Sequence, residues 1–270
     1  MAHVDHGLRM KSKSDAAFVE KLAVKNGLEF FGMQLEKPEK GENIEAWGRK
    51  ERYKFFKSVS EKFKFDWVLT AHTANDVAET FLMRLLSNKE LNSIEYVDIE
   101  RKLLRPFLTV STQEVYKYIR SNKLKFVEDE TNKDDKFLRN KIRNKLLPIL
   151  SKEFDKRITE TLSERARDIQ EDMKGMNSMF ARPLLMINTY DFGSKEWLRA
   201  VKVEVEKIPE VLGWRLAESL FRPKLGFNLG RTKSKELLKF LKGELQGVQL
   251  PGGISIKPKA SGISITAHGK

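Results

Sequence analysis

The sequence contains no cysteine among its 270 residues, which excludes a disulfide-stapled fold and a cysteine-bound zinc site. It has no run of about 18 apolar residues, so no segment is predicted to span a membrane. The first residues, MAHVDHGLR, lack the basic and then apolar stretches of a secretory signal. With 16 glycines and 40% hydrophobic residues, the composition excludes collagen and extensive disorder. We therefore expect a soluble, cytoplasmic protein with a folded core.

Acidic residues are in the minority, since 38 Asp and Glu face 51 Lys and Arg, giving a net charge of +13. A basic balance alone is weak support for a polyanionic partner, but the surplus is concentrated in two places. Segment 136–145 carries five basic residues and no acidic one, and segment 222–259 carries nine basic residues against Glu236 and Glu244. Such clusters suit the phosphates of a nucleic acid. A solvated helix face is the alternative for each cluster taken alone.

Extended runs alternate with helical patterns in the first half of the chain. Three runs are typical of strands: AHVD, LEFFGMQL and DWVLTA. Apolar residues recur at helical spacing in SDAAFVEKLAVKNG, IEAWGRKERYKFFKSVSEKF and NDVAETFLMRLL. We expect Asn75 or Asp76 to be the N-cap of the last helix. The alternation predicts an α/β fold, with a Rossmann-like parallel sheet and helices on both faces.

The pattern changes after about residue 150. Helical spacing is found at 158–179, 197–205, 212–221 and 234–241. The tail alternates β-prone runs with glycine and proline, which predicts a small β meander. The length is typical of two domains with room for a small third module. We expect the boundaries to be 1–150 for the α/β domain, 151–208 for a helical linker region, and 209–270 for a small α+β C-terminal module.

Polar side chains gather where the predicted strands end, which is where open α/β sheets bind ligands. In LTAHTANDVAET, His72 precedes a helix whose first turns carry Asp76 and Glu79, three residues apart and hence on one face. Arg52 lies on the preceding helix. Each has a structural alternative: Asp76 as a simple cap, His72 as a buried histidine, and Arg52 as a packed stem. The spacing matches no closed zinc site, and no nucleophile motif or Walker-type loop occurs, so we predict no protein metal ligand.

Six segments resemble one family when they are taken together and in order. They are HVDHGLR, NIEAWGRKERYKFF, LTAHTANDVAET, LLRP, VEDETN and RNKIRNKLLP. Over residues 2–150 their order and spacing are similar to those of the tRNA(Ile)-lysidine synthetases, which belong to the N-type ATP pyrophosphatase, or PP-loop, group. The related tRNA 2-thiolation enzymes use cysteines or an iron–sulfur cluster, and the absence of cysteine argues against them.

The resemblance implies a ligase that uses ATP and Mg²⁺ to activate the wobble cytidine of the CAU-anticodon isoleucine tRNA as an adenylated base. The amine of free lysine then displaces AMP. Residues 1–150 would form the catalytic domain, and residues 209–270 would contact tRNA. The implied catalytic residues are Asp76, Arg52 and Arg143, and the implied pocket residues are His72, Glu79, Arg139 and Asn140. The residues expected to contact tRNA are Lys136, Lys141, Lys145, Arg231, Lys233 and Lys235.

One part of the family pattern is absent from the sequence. A Ser-Gly-Gly-x-Asp-Ser phosphate loop is expected several tens of residues before HVDHGLR, and the sequence starts at Met1. Because the backbone N–H groups of such a loop cradle pyrophosphate, we expect poor ATP binding without it. A truncated, non-catalytic tRNA-binding protein is therefore the alternative to an active ligase. A small-molecule ATP pyrophosphatase is a third hypothesis, which explains the sheet but not the basic clusters. The oligomeric state is left open, with a homodimer among the options.

Overall fold

The computed structural model describes residues 1–5, 7, 12–36, 38, 41–42, 44–87, 90–128 and 135–267. His6 and Arg9 of HVDHGLR and Asn132 of VEDETN lie outside the described residues. The chain divides into two compact units, Met1–Gln170 and Glu171–Lys270, called unit 1 and unit 2 below. The three-part division at residues 150 and 208 stays a prediction.

Unit 1 alternates strands with helices. Its strands are β1 (Ala2–Asp5), β2 (Phe31–Gln34), β3 (Val68–Leu69), β4 (Val97–Asp98) and β5 (Leu103–Leu104). Its helices are α1 (Ser12–Lys25), α2 (Ile44–Phe63), α3 (Ala74–Leu86), α4 (Thr112–Ser121), α5 (Leu138–Lys141) and α6 (Leu147–Glu153). A π-helical turn, Ile142–Leu146, joins α5 to α6. The long helix α7 (Ile158–Ser178) begins in unit 1 and ends in unit 2.

The strands of unit 1 pair mainly in parallel. Ala2 of β1 lies opposite Phe31 of β2, and Val68 of β3 lies opposite Leu103 of β5. Strand β4 adds to β5 in the antiparallel direction. Parallel pairs connected through helices confirm the predicted α/β class. Only two residues of DWVLTA form a strand, because the chain leaves the ladder after Leu69 to enter the loop before α3.

Helix α3 is central to the core of unit 1. Its residues Val77 and Phe81 pack against Leu108 and Ala166, and Leu82 packs against the π-helical turn. Burying an apolar side chain of valine or larger stabilises the fold by about 1.5–3 kcal/mol. This packing holds α3 beside the basic segment that contains α5 and the π-helical turn.

The start of α3 corrects one prediction. Thr73, and not Asn75 or Asp76, is the N-cap, with extended backbone angles of φ −111° and ψ 175°. Asp76 occupies the third helical position and reaches back to the N-cap backbone. The N-cap must leave the helical conformation while the third residue stays within it, so a carboxylate three residues in completes a capping box instead of starting the helix.

Unit 2 is helical and ends in a small sheet. Its elements are α8 (Ala181–Ile187), α9 (Lys195–Glu206), α10 (Glu210–Leu225), α11 (Gly230–Lys242), β6 (Val248–Leu250), β7 (Ile254–Lys259) and β8 (Gly262–Ala267). The strands form an antiparallel meander in the order β6-β7-β8, as predicted. Trp197 and Phe221 are fully buried in its core. In the described part of the chain, no helix is long and apolar enough to cross a membrane.

Candidate active site

The loop before α3 is held by hydrogen bonds that also fix Asp76. The Thr73 backbone N–H donates to Oδ2 of Asp76 at 2.7 Å, and the Thr73 hydroxyl lies 3.0 Å from the same oxygen. The first turn of α4 is bound to this loop, because the Thr112 N–H donates to Oδ1 of Asn75 at 2.8 Å. The hydroxyl oxygens of Thr73 and Thr112 are 3.2 Å apart. The Asp76 carboxylate is therefore positioned from two helices.

Two arginines from the basic segment bind the carboxylates of α3. Arg139 donates through Nε to Oε2 of Glu79 at 2.8 Å and through Nη2 to Oδ1 of Asp76. Arg143 donates through Nε to Oε1 of Glu79 at 2.6 Å and through Nη2 to Oε2 at 2.9 Å. The second arrangement is a bidentate pair, the strongest geometry between a guanidinium and a carboxylate. The Glu79 side chain is only 1% exposed, so it acts as the buried centre of the cluster.

The local helix geometry places both arginines on one side. Arg139 and Arg143 are four residues apart, and the chain changes from α-helix to π-helix at Ile142 between them. Ile142 is 1% exposed and packs in the core, which anchors this turn. Single π-helical turns are rare and occur often at functional sites. Here the turn coincides with the paired arginines.

Additional cations surround the ion-pair cluster. Arg52 of α2 is half-buried, and burial is the main cause that lowers its pKa, with Arg49 and Arg139 acting in the same direction. A guanidinium nonetheless keeps its charge in proteins. Among the described residues, Arg49, Arg52, Arg139 and Arg143 thus bring four positive charges to the region where Asp76 and Glu79 supply two carboxylates. This excess of positive charge suits a polyphosphate or a nucleic-acid backbone.

His72 is neutral at the edge of the same cluster. Its Nδ1 lies 2.9 Å from the Thr70 hydroxyl. The pKa of His72 is lowered to about 4, mainly by burial; Asp76 acts to raise it, and Arg105, Arg139 and Arg49 act to lower it. His72 can therefore act as a hydrogen-bond partner at neutral pH, but it adds no charge.

The lowered pKa of His72 predicts a pH-dependent stability. The ordinary value is 6.5 and the folded value is about 4, so protonation favours the unfolded chain. The stabilising contribution is complete above pH 6.5 and is lost as the pH falls from 6.5 towards 4. We expect urea unfolding at pH 7 and pH 5 to reveal a larger loss of stability in the unchanged chain than in His72→Asn. Equal losses of stability in the two proteins would contradict the lowered pKa of His72.

Unit 2 has a basic cleft between α10 and α11. It has a volume of about 400 Å³, and its lining includes Trp214, Arg231, Lys235, Lys239 and Lys242. The Arg231 guanidinium lies 5.7 Å from the centre of the Trp214 ring. Helical spacing from 231 to 242 places these cations along one face of α11. We refer to this feature as the α11 cleft.

Two charged residues of this region, Lys233 and Glu218, do not line the α11 cleft. Lys233 is paired with Glu236 at 2.6 Å and does not line the α11 cleft. The buried Glu218 carboxylate accepts the backbone N–H groups of Leu229 and Gly230 at 3.0 and 3.3 Å. Glu218 thereby fixes the beginning of α11, the helix that carries the cations.

Residues 1–150 match the family model of the PP-loop domain. The chain belongs to the PP-loop domain family. The match covers the ion-pair cluster, the cations around it and the basic segment that contributes Arg139 and Arg143.

Curated relatives of this PP-loop chain include tRNA(Ile)-lysidine synthases. The enzyme of Enterococcus faecalis is 35% identical over 158 residues, which cover 57% of this chain and 34% of the relative. The enzyme of Thermosipho africanus is 31% identical over 249 residues, which cover 90% of this chain and 55% of the relative. The chain thus spans between about a third and somewhat over half of the length of these relatives.

A solved structure supports the same fold. The U34-tRNA thiolase NcsA of Methanococcus maripaludis, solved with its [4Fe-4S] cluster, aligns with a TM-score of 0.53 and 16% sequence identity. The alignment covers 63% of this chain and 61% of the thiolase. At this identity the likeness concerns the fold alone.

The structure brings most of the implied site residues of the PP-loop chain into one place. Asp76, Glu79, Arg139 and Arg143 form the ion-pair cluster. The electrostatic neighbours of this cluster include His72 and Arg52. Asn140 is buried, and in the sequence it lies between Arg139 and Arg143. The catalytic and binding roles of all these residues stay predictions.

Arg105 is a neighbour that sequence reasoning missed. Its side chain is 3% exposed, its Nη1 donates to the Glu95 carbonyl oxygen, and its charge acts on His72. The only sequence signal is its place in LLRP, directly after strand β5. The three basic-segment lysines are exposed, and Lys145 is paired with Asp135 at 2.9 Å.

Proposed function

We propose that this chain is the PP-loop part of a tRNA(Ile)-lysidine synthase. The reaction joins free lysine to the wobble cytidine of the CAU-anticodon isoleucine tRNA, with ATP supplying the activation. The observation that carries the proposal is the cluster of Asp76 and Glu79 with Arg139 and Arg143, in the region aligned with the Thermosipho africanus enzyme of that name. Such a reaction takes place in the cytoplasm, where tRNA, ATP and lysine meet.

The charges of the site fit ATP. Arg139 and Arg143 are paired with carboxylates, and Arg49 and Arg52 add two further guanidinium groups beside them. Guanidinium groups match the geometry of phosphate oxygens. When bound, ATP with Mg²⁺ would supply the adenylate that makes the cytidine reactive. The arginines would hold the phosphates and offset their charge.

Asp76 is the residue best suited to hold the lysine substrate. Its side chain is 17% exposed, unlike that of Glu79. Oδ2 accepts from Thr73, and Oδ1 accepts from Arg139. A carboxylate has about four acceptor sites, which leaves capacity for an incoming ammonium. The proposed role of Asp76 is to orient that amine towards the activated base, while Glu79 holds the two arginines in place.

A substrate-omission experiment tests this function. The full chain is incubated with ATP, isoleucine tRNA and lysine, and AMP release is measured with each component left out in turn. We expect AMP release to require the tRNA. Binding of tRNA without AMP release would favour the non-catalytic tRNA-binding alternative. AMP release that ignores tRNA would favour an ATP pyrophosphatase acting on a small molecule.

We propose that tRNA contacts both basic segments. Lys136, Lys141 and Lys145 would contact it from unit 1, and Arg231, Lys233 and Lys235 from unit 2. The exposure of the unit 1 lysines and the cations of the α11 cleft support this assignment. Each phosphate contact that is lost should reduce the dependence of affinity on salt.

The two lysines of α11 give a graded prediction. We expect Lys235→Ala to weaken tRNA binding and to reduce the slope of log affinity against log salt by about 1. Lys233→Ala should change the slope less, because Glu236 already pairs with that ammonium. Fluorescence anisotropy at several salt concentrations measures both, with Lys21→Ala as the control on an exposed helix outside both segments. An unchanged slope in both α11 variants would show that these lysines belong to a solvated helix face and do not contact tRNA.

A further inference from the structure

An exposed aromatic pair is formed by α4 and the turn that follows it. Tyr116 of α4 is 37% exposed and Phe126 is 45% exposed. Their ring centres are 5.6 Å apart with 62° between the ring planes. Two adjacent exposed rings offer a continuous apolar surface, and such surfaces can serve as binding sites. The pair is not part of the ion-pair cluster, but Tyr116 belongs to the helix that binds the loop before α3.

Tyr116 faces the site because of how α4 is attached. Thr112 binds the loop before α3 through its backbone N–H and its hydroxyl. Tyr116 is four residues further along α4 and therefore shares the helix face of Thr112. The Tyr116 hydroxyl is among the groups that act electrostatically on Arg143. The attachment of α4 thus places Tyr116 on the side of the helix that faces the loop before α3.

The turn after α4 brings Phe126 into contact with Tyr116. Lys123 has a φ of 51°, the left-handed conformation that commonly ends a helix. The Leu124 N–H donates back to the Ile119 carbonyl at 2.9 Å, which reverses the chain direction. Phe126 then packs edge to face on Tyr116. The backbone hydrogen bond of this turn therefore fixes the chain direction that leads to the ring contact.

We propose that Tyr116 and Phe126 form a stacking platform for a nucleobase in the anticodon loop of the bound tRNA. The inference rests on the proposed function and extends it to base recognition. Unpaired RNA bases bind proteins by stacking on aromatic side chains next to cationic groups. Arg143 supplies the neighbouring guanidinium, and the exposed Lys117 and Lys125 flank the aromatic residues in sequence.

Substitution of Tyr116 in the full chain tests the platform. The probe is a labelled anticodon stem–loop RNA of the isoleucine tRNA, and its affinity is measured by fluorescence anisotropy. We expect Tyr116→Ala and Tyr116→Leu to weaken binding about tenfold, which corresponds to ~1.4 kcal/mol. Tyr116→Phe should stay within about twofold, because the ring is what stacks. Tyr118→Ala is the matched control, since Tyr118 is 63% exposed on the other side of α4.

Two further readouts separate stacking from a general disturbance. The salt dependence of binding should be the same in Tyr116→Leu as in the unchanged chain, because no phosphate contact is lost. A fluorescent cytidine analogue at the wobble position, or at its neighbour, should be quenched by the unchanged chain and less so by Tyr116→Leu. Equal affinity and equal quenching in both proteins would overturn the platform.

The remaining outcomes tell whether the pair binds a base of the RNA or the adenine of ATP. If Tyr116→Leu weakened ATP binding and left RNA binding unchanged, the pair would hold adenine and the inference would be wrong. If the unchanged chain failed to bind the RNA at all, the proposed function and the platform would both fail. If it bound the RNA, and the Tyr116 variants bound and quenched it equally well, the platform alone would fail.

Discussion

Replacing Glu79 by alanine is expected to lower the free energy of unfolding of unit 1 by about 3 kcal/mol. The carboxylate is 1% exposed and binds both Arg139 and Arg143. Removing it takes a buried carboxylate away from two neighbouring guanidinium groups, which keep their contacts with Asp76. The loss of one partner from a buried ion pair costs more than the pair contributes, because the other charge stays buried.

Urea unfolding monitored by hydrogen exchange of α3 peptides measures this effect within unit 1. Glu164→Ala is the matched control, because Glu164 is exposed on α7, and such surface changes usually stay within about 0.5 kcal/mol. The double variant Glu79→Ala with Arg143→Ala should be less destabilised than the sum of the two single variants. A Glu79→Ala protein as stable as the control would show that the cluster does not organise unit 1.

Asp76→Asn is expected to reduce lysine transfer by about 100-fold or more, with little change in stability. Asparagine keeps an acceptor for the Thr73 N–H and so preserves the cap of α3, but it removes the charge that attracts an ammonium. Rates are compared at saturating and at limiting lysine, and the deficit should be largest at limiting lysine. The control is Asp98→Asn, a carboxylate-to-amide change at the end of β4, where Asp98 pairs with Arg101. Normal activity in Asp76→Asn would remove the proposed role of Asp76.

Local sequence patterns predicted the elements of this fold with good accuracy. The helix expected over 44–63 has those bounds in the structure, because its apolar spacing is regular over five turns. Ser111 and Glu114, three residues apart, form a capping box at the start of α4, an arrangement typical of that spacing. The start of α3 was wrong by two or three residues, because Thr73 and Asp76 cooperate in one box and a pattern alone does not tell which of them leaves the helix.

The candidate site depended on information that local patterns do not carry. The three-residue spacing of Asp76 and Glu79 indicated a shared face, and both residues indeed bind Arg139. The arginines lie about sixty positions further along the chain, so only the family resemblance linked them to α3. Arg105 was missed because its position depends on the backbone carbonyl oxygen of Glu95. Every residue type has such a carbonyl, so the sequence does not indicate which one accepts the hydrogen bond.

Incorporation of lysine into tRNA by this chain tests the central claim most directly. The full chain is incubated with ATP, isotopically labelled lysine and isoleucine tRNA that has a CAU anticodon. The account predicts ATP-dependent label in the wobble nucleoside, and no label when that cytidine is replaced by uridine. Stable binding of the tRNA with no transfer of label would contradict the ligase and leave a tRNA-binding protein in its place.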